Sequence, residues 1–326
     1  MSTTLDTAPR GGALVAHRGR GLRADDLYRG LLMGAAGVVF FIVFLIAFES
    51  VHGAMLSMKT IGWGFLLGTE WDPVADHYGA LPYVIGTLAT SALALFMAMP
   101  LGIGSAVFLA ELSTRRIGEI VSFVMELLAA IPSIVFGIWG FFVLAPFLRT
   151  NVEPWLVQHF GFIPLFRGVP FGIGILNAAI ILAVMIVPTI VSISREVLMA
   201  TPRSLREASL ALGATQAESI AVALDAAKPG ILGAVILALG RALGETMAVT
   251  MVIGNTNRIP TSILDPGATM ASVIANEFTE ATSPLYISAL IQIALVLFGV
   301  TIIVNALARL LVYWATGGRR DVSGAA

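Results

Sequence analysis

Within the stretch Gly230 to Gly254, GILGAVILALGRALGETMAVTMVIG, two residues stand out as able to do chemistry, Arg241 and Glu245. The stretch is apolar and long enough to cross a bilayer, for which about 20 residues suffice. Four apart on a helix, the two side chains lie on one face. A charge at bilayer depth costs roughly 2.5–3.5 kcal/mol on insertion scales, and such residues face a bundle interior or a water-filled path and pair with one another. The pair therefore marks this helix as the wall of a polar pathway. The alternative is a permanent ion pair that fixes helix packing, and the sequence leaves it open. Small residues surround the charges, and Gly240 and Gly244 form a G-x-x-x-G step that lets another helix approach closely. Thr246, Thr250 and Asn255 add hydroxyl and amide groups on the same stretch, with backbone and neighbouring helices as competing partners.

The elements that must position these charges are membrane spans. The chain has 326 residues, 57% hydrophobic and only 12% charged, and its mean hydropathy is +0.91. The low charge fraction is about half that of soluble domains. The composition predicts an all-α polytopic membrane protein. Six apolar spans are expected, near Gly30–Phe48, Pro82–Leu109, Val121–Leu148, Phe171–Ile193, Gly230–Gly254 and Leu285–Trp314. With the N-terminus inside, the outer segments hold only Lys59, Arg149, Arg167 and Arg258 of the 19 basic residues, and Arg241 alone lies in a span. This bias places both termini in the cytoplasm. Residues 1–28 read as a flexible cytoplasmic tail that is kept, because the apolar piece Gly11–Ala16 is too short for a signal-peptide core. Residues 29–315 form the transmembrane domain and 316–326 a cytoplasmic C-terminal tail. Outside, Trp63, Trp71 and Tyr83 suit interfacial anchoring, and Glu153, Glu277 and other acids fall in outer loops. The segment 149–170 reads as an ordinary connection or as short amphipathic pieces. Pro132 is expected to kink the third span.

Several functions are excluded or disfavoured. The chain has no cysteine, and its four histidines are scattered outside the spans, so no metal site is expected. No G-x-x-x-x-G-K-[ST] loop occurs, so the chain cannot hydrolyse ATP itself. No Ser/His/Asp cluster in the spans supports a membrane-embedded enzyme.

The longest inner connection, residues 194–229, predicts a short helix, a glycine turn and a second helix. Thr201-Pro202 reads as an N-cap with proline at the first helical position, and Ser204 to Glu207 also fits a capping box. Leu205, Ala208 and Leu212 recur on one face, Gly213 is a natural stop, and Thr215 to Glu218 is a second capping box. The second helix is expected to run to Lys228, before Pro229. An amphipathic helix held outside the membrane suits a groove on another protein or the lipid interface.

Here the residues resemble a family. Glu207-Ala208-Ser209-Leu-Ala-Leu-Gly213 is similar to the E-A-A-x-x-x-G loop of ABC importer permeases, with Ser209 at the third position and Leu224-Asp225 where the pattern continues with Leu-Pro. The resemblance implies the MetI-like permease fold. It also implies that this helix, with Leu205, Glu207, Ala208, Leu212 and Gly213, docks on an ATPase. More narrowly, Gly240 to Asn255 and Ala130-Ile-Pro-Ser-Ile-Val-Phe-Gly-Ile-Trp-Gly140 are similar to the fifth and third spans of phosphate-specific permeases, on the side of the C rather than the A subunit. That implies a multi-pass protein of a bacterial plasma membrane, importing phosphate by alternating access. Its implied partners are a second related permease, an ATPase dimer that alone binds ATP and magnesium, and an outer phosphate-binding protein; no cofactor and no nucleic acid is implied for this chain. Another oxyanion, sulfate or molybdate, is the alternative substrate. For such an anion, Arg241 supplies fixed donors. Glu245 would hold the guanidinium at rest and keep its grip weak enough for release. Thr246 and Thr250 complete the expected pathway.

Overall fold

A computed structural model describes residues 21–315; the N-terminal tail up to residue 20 and the C-terminal tail 316–326 lie outside the described residues. The first helix, α1 (Gly21–Thr60), starts inside the expected tail and continues well past the first expected span. Its part through Glu49 forms a unit of its own, an apolar helix with Phe40, Phe41 and Phe44 exposed. The second unit, from Ser50 onward, holds the remaining elements.

Five further helices are long and apolar enough to span a membrane, making six with α1, as expected for a multi-pass membrane protein. Helix α2 (Leu81–Val107) runs into a π turn at Phe108–Leu112. Helix α3 (Arg115–Ala130) was expected to open the third span, but it is a separate element. Pro132 does more than kink the chain. A residue before proline is pushed out of the α region, and Ile131 sits at φ −65°, ψ 129°. The third spanning helix, α4, therefore begins only at Ser133 and continues, through π turns at Gly140–Leu144 and Leu148–Val152, to Phe160. Much of the expected 149–170 connection is thus helical.

The fourth spanning helix, α5 (Ile175–Ala200), is followed by α6 (Arg203–Ala211) and α7 (Gln216–Gly244). Helix α7 does not stop at Lys228. It passes through Pro229, as membrane helices can when neighbours satisfy the freed carbonyl, so the second loop helix and the fifth span are one element. It ends at Gly244, ten residues before the expected end, and α8 (Met247–Val252) resumes after the break. Helices α9 (Met270–Glu277) and α10 (Pro284–Ala315) complete the chain.

Small residues let α2, α5, α7 and α8 pack closely. Ala94, Ala98, Ile181, Ile186, Ala238, Ala242, Val249 and Val252 are buried in one core, consistent with small-residue packing in membranes. A second core lies over one end. There β1 (Trp71–Asp72) pairs antiparallel with β2 (His77–Tyr78), and Trp71, Tyr78, Tyr83 and Tyr286 form a cluster of rings. Trp71 and Tyr83 are thus core residues rather than interfacial anchors, and only Trp63 is open, at 86% exposure. Glu277 sits among them, accepting hydrogen bonds from Trp71 Nε1 at 2.5 Å and Tyr286 Oη at 2.8 Å. Burial raises the Tyr78 phenol above its ordinary range.

Candidate functional site

Arg241 lies in the last turn of α7, where the helix macrodipole favours a cation. Its Nη1 donates to Thr189 Oγ1 of α5 at 3.3 Å. The side chain is exposed and lines a cavity of about 810 Å³ with Thr189, Gly240, Thr301, Asn305 and Arg309. Gly240 meets α10 there, a Cβ at this position falling 3.8 Å from Asn305 Oδ1, while Gly244 faces open space. Within this chain the G-x-x-x-G step therefore admits α10 at one glycine only.

The expected resting pair of Arg241 with Glu245 is not formed. Glu245 is the residue after the last turn of α7, at φ −68°, ψ 125°, so the two are not neighbours on one helix. Its Oε1 instead accepts the backbone N–H of Ala248 at 3.3 Å, across the break. The carboxylate thus closes the first turn of α8. The physical reason is the break itself: two helix ends inside a membrane leave backbone groups that must find partners. Thr246 and Thr250 use their hydroxyl protons locally. Thr246 Oγ1 donates to Gly244 O at 3.2 Å and Thr250 Oγ1 to Thr246 O at 2.7 Å. Both are therefore taken as donors, and Asn255 Nδ2 likewise donates to Thr250 O at 2.8 Å. Of the expected pathway residues, Arg241 alone presents an ionic group to the cavity.

The two stretches that carried the family resemblance meet in space. A Cβ on Gly137 would fall 3.1 Å from Ala248 Cα and 3.3 Å from Ala248 O, and one on Gly140 would fall 2.8 Å from Val252 Cγ1. These glycines let α4 seat α8 at van der Waals distance. Two polar residues that sequence reasoning missed fix the far end of this contact. Asn177, fully buried, donates to Gly172 O at 2.8 Å and Gly140 O at 3.3 Å. Glu153, expected in a solvent-facing loop, is 1% exposed and accepts the Gly172 N–H at 2.8 Å. Their only sequence signal is a polar group placed among apolar neighbours.

At the other end of the bundle, the loop helix forms as expected, starting at Arg203, between the two expected starts. Pro202 occupies the N-cap of α6 and makes no side-chain cap, so neither the Thr201 cap nor the Ser204 capping box is formed. The C-terminal end is a Schellman motif: Ala214 N–H donates to Ser209 O at 3.1 Å and Gly213 N–H to Leu210 O at 3.0 Å. Gly213 has φ +90°, which a side chain would strain. The Thr215–Glu218 capping box is formed, at 2.7 Å and 3.4 Å. No residue of α6 is buried; Leu205, Glu207 and Ala208 are exposed, and Leu212 just beyond it is 90% exposed. The expected docking residues thus form an open face.

Comparisons with known proteins match this architecture. The profile described as "Binding-protein-dependent transport system inner membrane component" matches residues 98–314. The "Phosphate transport system permease protein PstC" of Mesorhizobium japonicum is 46% identical over 87% of this chain and 89% of its own length. The protein of the same name in Haemophilus influenzae is 43% identical over 88% of this chain and 93% of its own. Among solved structures, one described as "Inward facing conformations of the MetNI methionine ABC transporter" aligns with a TM-score of 0.53 at 20% identity, covering 70% of this chain and 91% of that one. That likeness bears on the fold, whose helical core it shares. The chain belongs to the family of binding-protein-dependent transport system inner membrane components, in the group defined by its PstC relatives.

Proposed function

We propose that this chain is one permease subunit of an ATP-driven phosphate importer. The observation that carries the mechanism is Arg241: a guanidinium at the broken end of a spanning helix, facing a cavity of about 810 Å³ with a neutral hydroxyl as its hydrogen-bond partner. An arginine left free of carboxylates there suits the transient binding of an anion. The names of the relatives make phosphate the substrate, and no observation favours sulfate or molybdate. The chain is a transport subunit and not an enzyme, and hydrolysis belongs to a separate ATPase.

The finer reading places both termini in the cytoplasm, on the strength of the basic-residue bias. The open face of α6 then meets an ATPase dimer that binds ATP and magnesium. The opposite end, with its ring cluster, faces the phosphate-binding protein, and a second related permease closes the cavity on the side of Arg241 and Gly244. Phosphate passes Arg241 without having to displace Glu245, which is occupied in bracing α8. Arg241, with Arg309 on the same cavity wall, draws the anion without a closed binding shell, which allows release, and rocking of helix bundles around this level gives alternating access. Thr246 and Thr250 take part through the shape of the break, which their hydroxyls hold.

The test is reconstitution of the complete complex in proteoliposomes. Phosphate-loaded binding protein is expected to stimulate ATP hydrolysis and phosphate uptake together. Sulfate transport at the same rate, or uptake indifferent to ATP, would overturn the reading.

A further inference from the structure

We propose that Arg206 is the positioning residue that ties the docking helix to the spans it must move, an inference that rests on the importer reading above. Arg206 lies on α6. Its Nε donates to both carboxylate oxygens of Glu111, at 3.2 and 3.1 Å, and its Nη2 donates to Glu111 Oε1 at 2.5 Å. Glu111 stands in the π turn that ends α2, 95 residues away in sequence. The other donors of the guanidinium reach the end of α5: Nη1 to Thr201 O at 3.0 Å and Nη2 to Leu198 O at 2.9 Å. The backbone carbonyl of Arg206 accepts from Ser209 Oγ at 2.8 Å and from Ser219 Oγ, in the first turn of α7, at 3.4 Å. One residue therefore joins α2, α5, α6 and α7. The two charged side chains are 20% and 9% exposed, so water screens them weakly.

The rest of α6 explains why this joint acts as a lever. No residue of the helix is buried, and Leu205 and Leu210 point outward. A force on that open face reaches α2 and α5 through the charged hydrogen bonds of the Arg206 fork. The fork needs arginine: its planar donors match a carboxylate two at a time and still reach carbonyls, which a lysine ammonium cannot do together. The target is suited to motion as well. The π turn Phe108–Leu112 closes through Ser113 N–H to Phe108 O at 2.8 Å, and single π turns inside helices recur at functional sites. The fork itself lines a cavity of about 770 Å³, with Glu111, Arg195, Met199, Arg206 and Glu207 on its wall, which leaves α6 room to shift. Buried ion pairs contribute little net stability compared with apolar packing, so a positional role accounts for this pair better than a bracing one.

The test uses the whole complex in proteoliposomes and reads phosphate moved per ATP hydrolysed, together with the yield of assembled complex. Arg206→Gln and Glu111→Gln are each expected to lower that ratio about tenfold, within the range of known couplings between sites. The double variant is expected to be no worse than the poorer single one, because both remove the same link. Arg206→Lys, which keeps the charge and loses the fork, is expected to fall between. A purely structural role would lower complex yield and both rates alike and leave the ratio unmoved; that result, or strictly additive losses, overturns the proposal. A wild-type complex without coupled uptake would overturn the importer reading itself, and is told apart because no variant is then needed to see it.

Discussion

Replacing Arg241 with glutamine separates transport from folding, and the structure gives the size of both effects. In the native chain Arg241 makes one hydrogen bond, to a neutral hydroxyl, and its side chain is exposed to an open cavity. A bond of that kind contributes about 1 kcal/mol net, and a glutamine amide is itself a hydrogen-bond donor. Because Glu245 is braced against Ala248 instead, removing the guanidinium strands no carboxylate. The fold should therefore barely respond. The anion responds strongly. A unit negative charge about 4 Å from the guanidinium gains roughly 4 kcal/mol at an effective dielectric near 20. An amide returns part of this as a hydrogen bond. A loss of about 3 kcal/mol at the highest point of the path slows passage about a hundredfold. The assay is labelled-phosphate uptake into proteoliposomes with loaded binding protein, alongside thermal unfolding of the purified complex. Uptake near the wild-type rate would show that the anion does not pass this residue. A melting temperature lowered as far as that of a core-glycine variant would show that Arg241 holds the bundle together instead.

The other expectations concern the frame. Gly137→Val should cost about 1–3 kcal/mol through overpacking, because an added Cβ would meet the Ala248 backbone at 3.1 Å; Gly104→Ala, where nothing lies within 4 Å of an added Cβ, is the control in the same unfolding measurement. Glu153→Leu should leave the buried Gly172 N–H without its acceptor and cost about 1–3 kcal/mol; faster hydrogen exchange at Gly172 checks it. Gly213→Val should strain a backbone at φ +90° by about 1–3 kcal/mol and unseat the Schellman turn. Co-purification of the ATPase should fall, whereas Ala214→Ser at the next position should leave it unchanged.

Much of this was legible in the sequence, and the main failures in the fifth span share a cause. The six spans, the glycine stop at Gly213 and the Thr215 capping box follow from rules that act over a few residues, and each is present. Two of the errors fall where membrane burial overrides those rules. Pro229 does not end α7, since the bundle can satisfy a freed carbonyl. Gly244 to Thr246 does end it, although the one glycine in Arg241-Ala-Leu-Gly-Glu245 costs only about 1 kcal/mol in a helix and Gly233 and Gly240 are passed without a break. Four-residue spacing suggested an ion pair there, but spacing has meaning only within an unbroken helix. The break is held by Glu245 accepting from Ala248 and by α4 glycines that admit α8 closely, contacts far apart in the sequence. The Arg206–Glu111 fork was invisible for the same reason, its partners lying 95 residues apart. Five of the charged residues thus differ in their partners. Glu153 and Glu245 accept from backbone N–H groups and hold helix ends in place, whereas Glu111 and Arg206 pair with each other across helices. Arg241, with a hydroxyl for a partner, is the group past which we propose the anion moves.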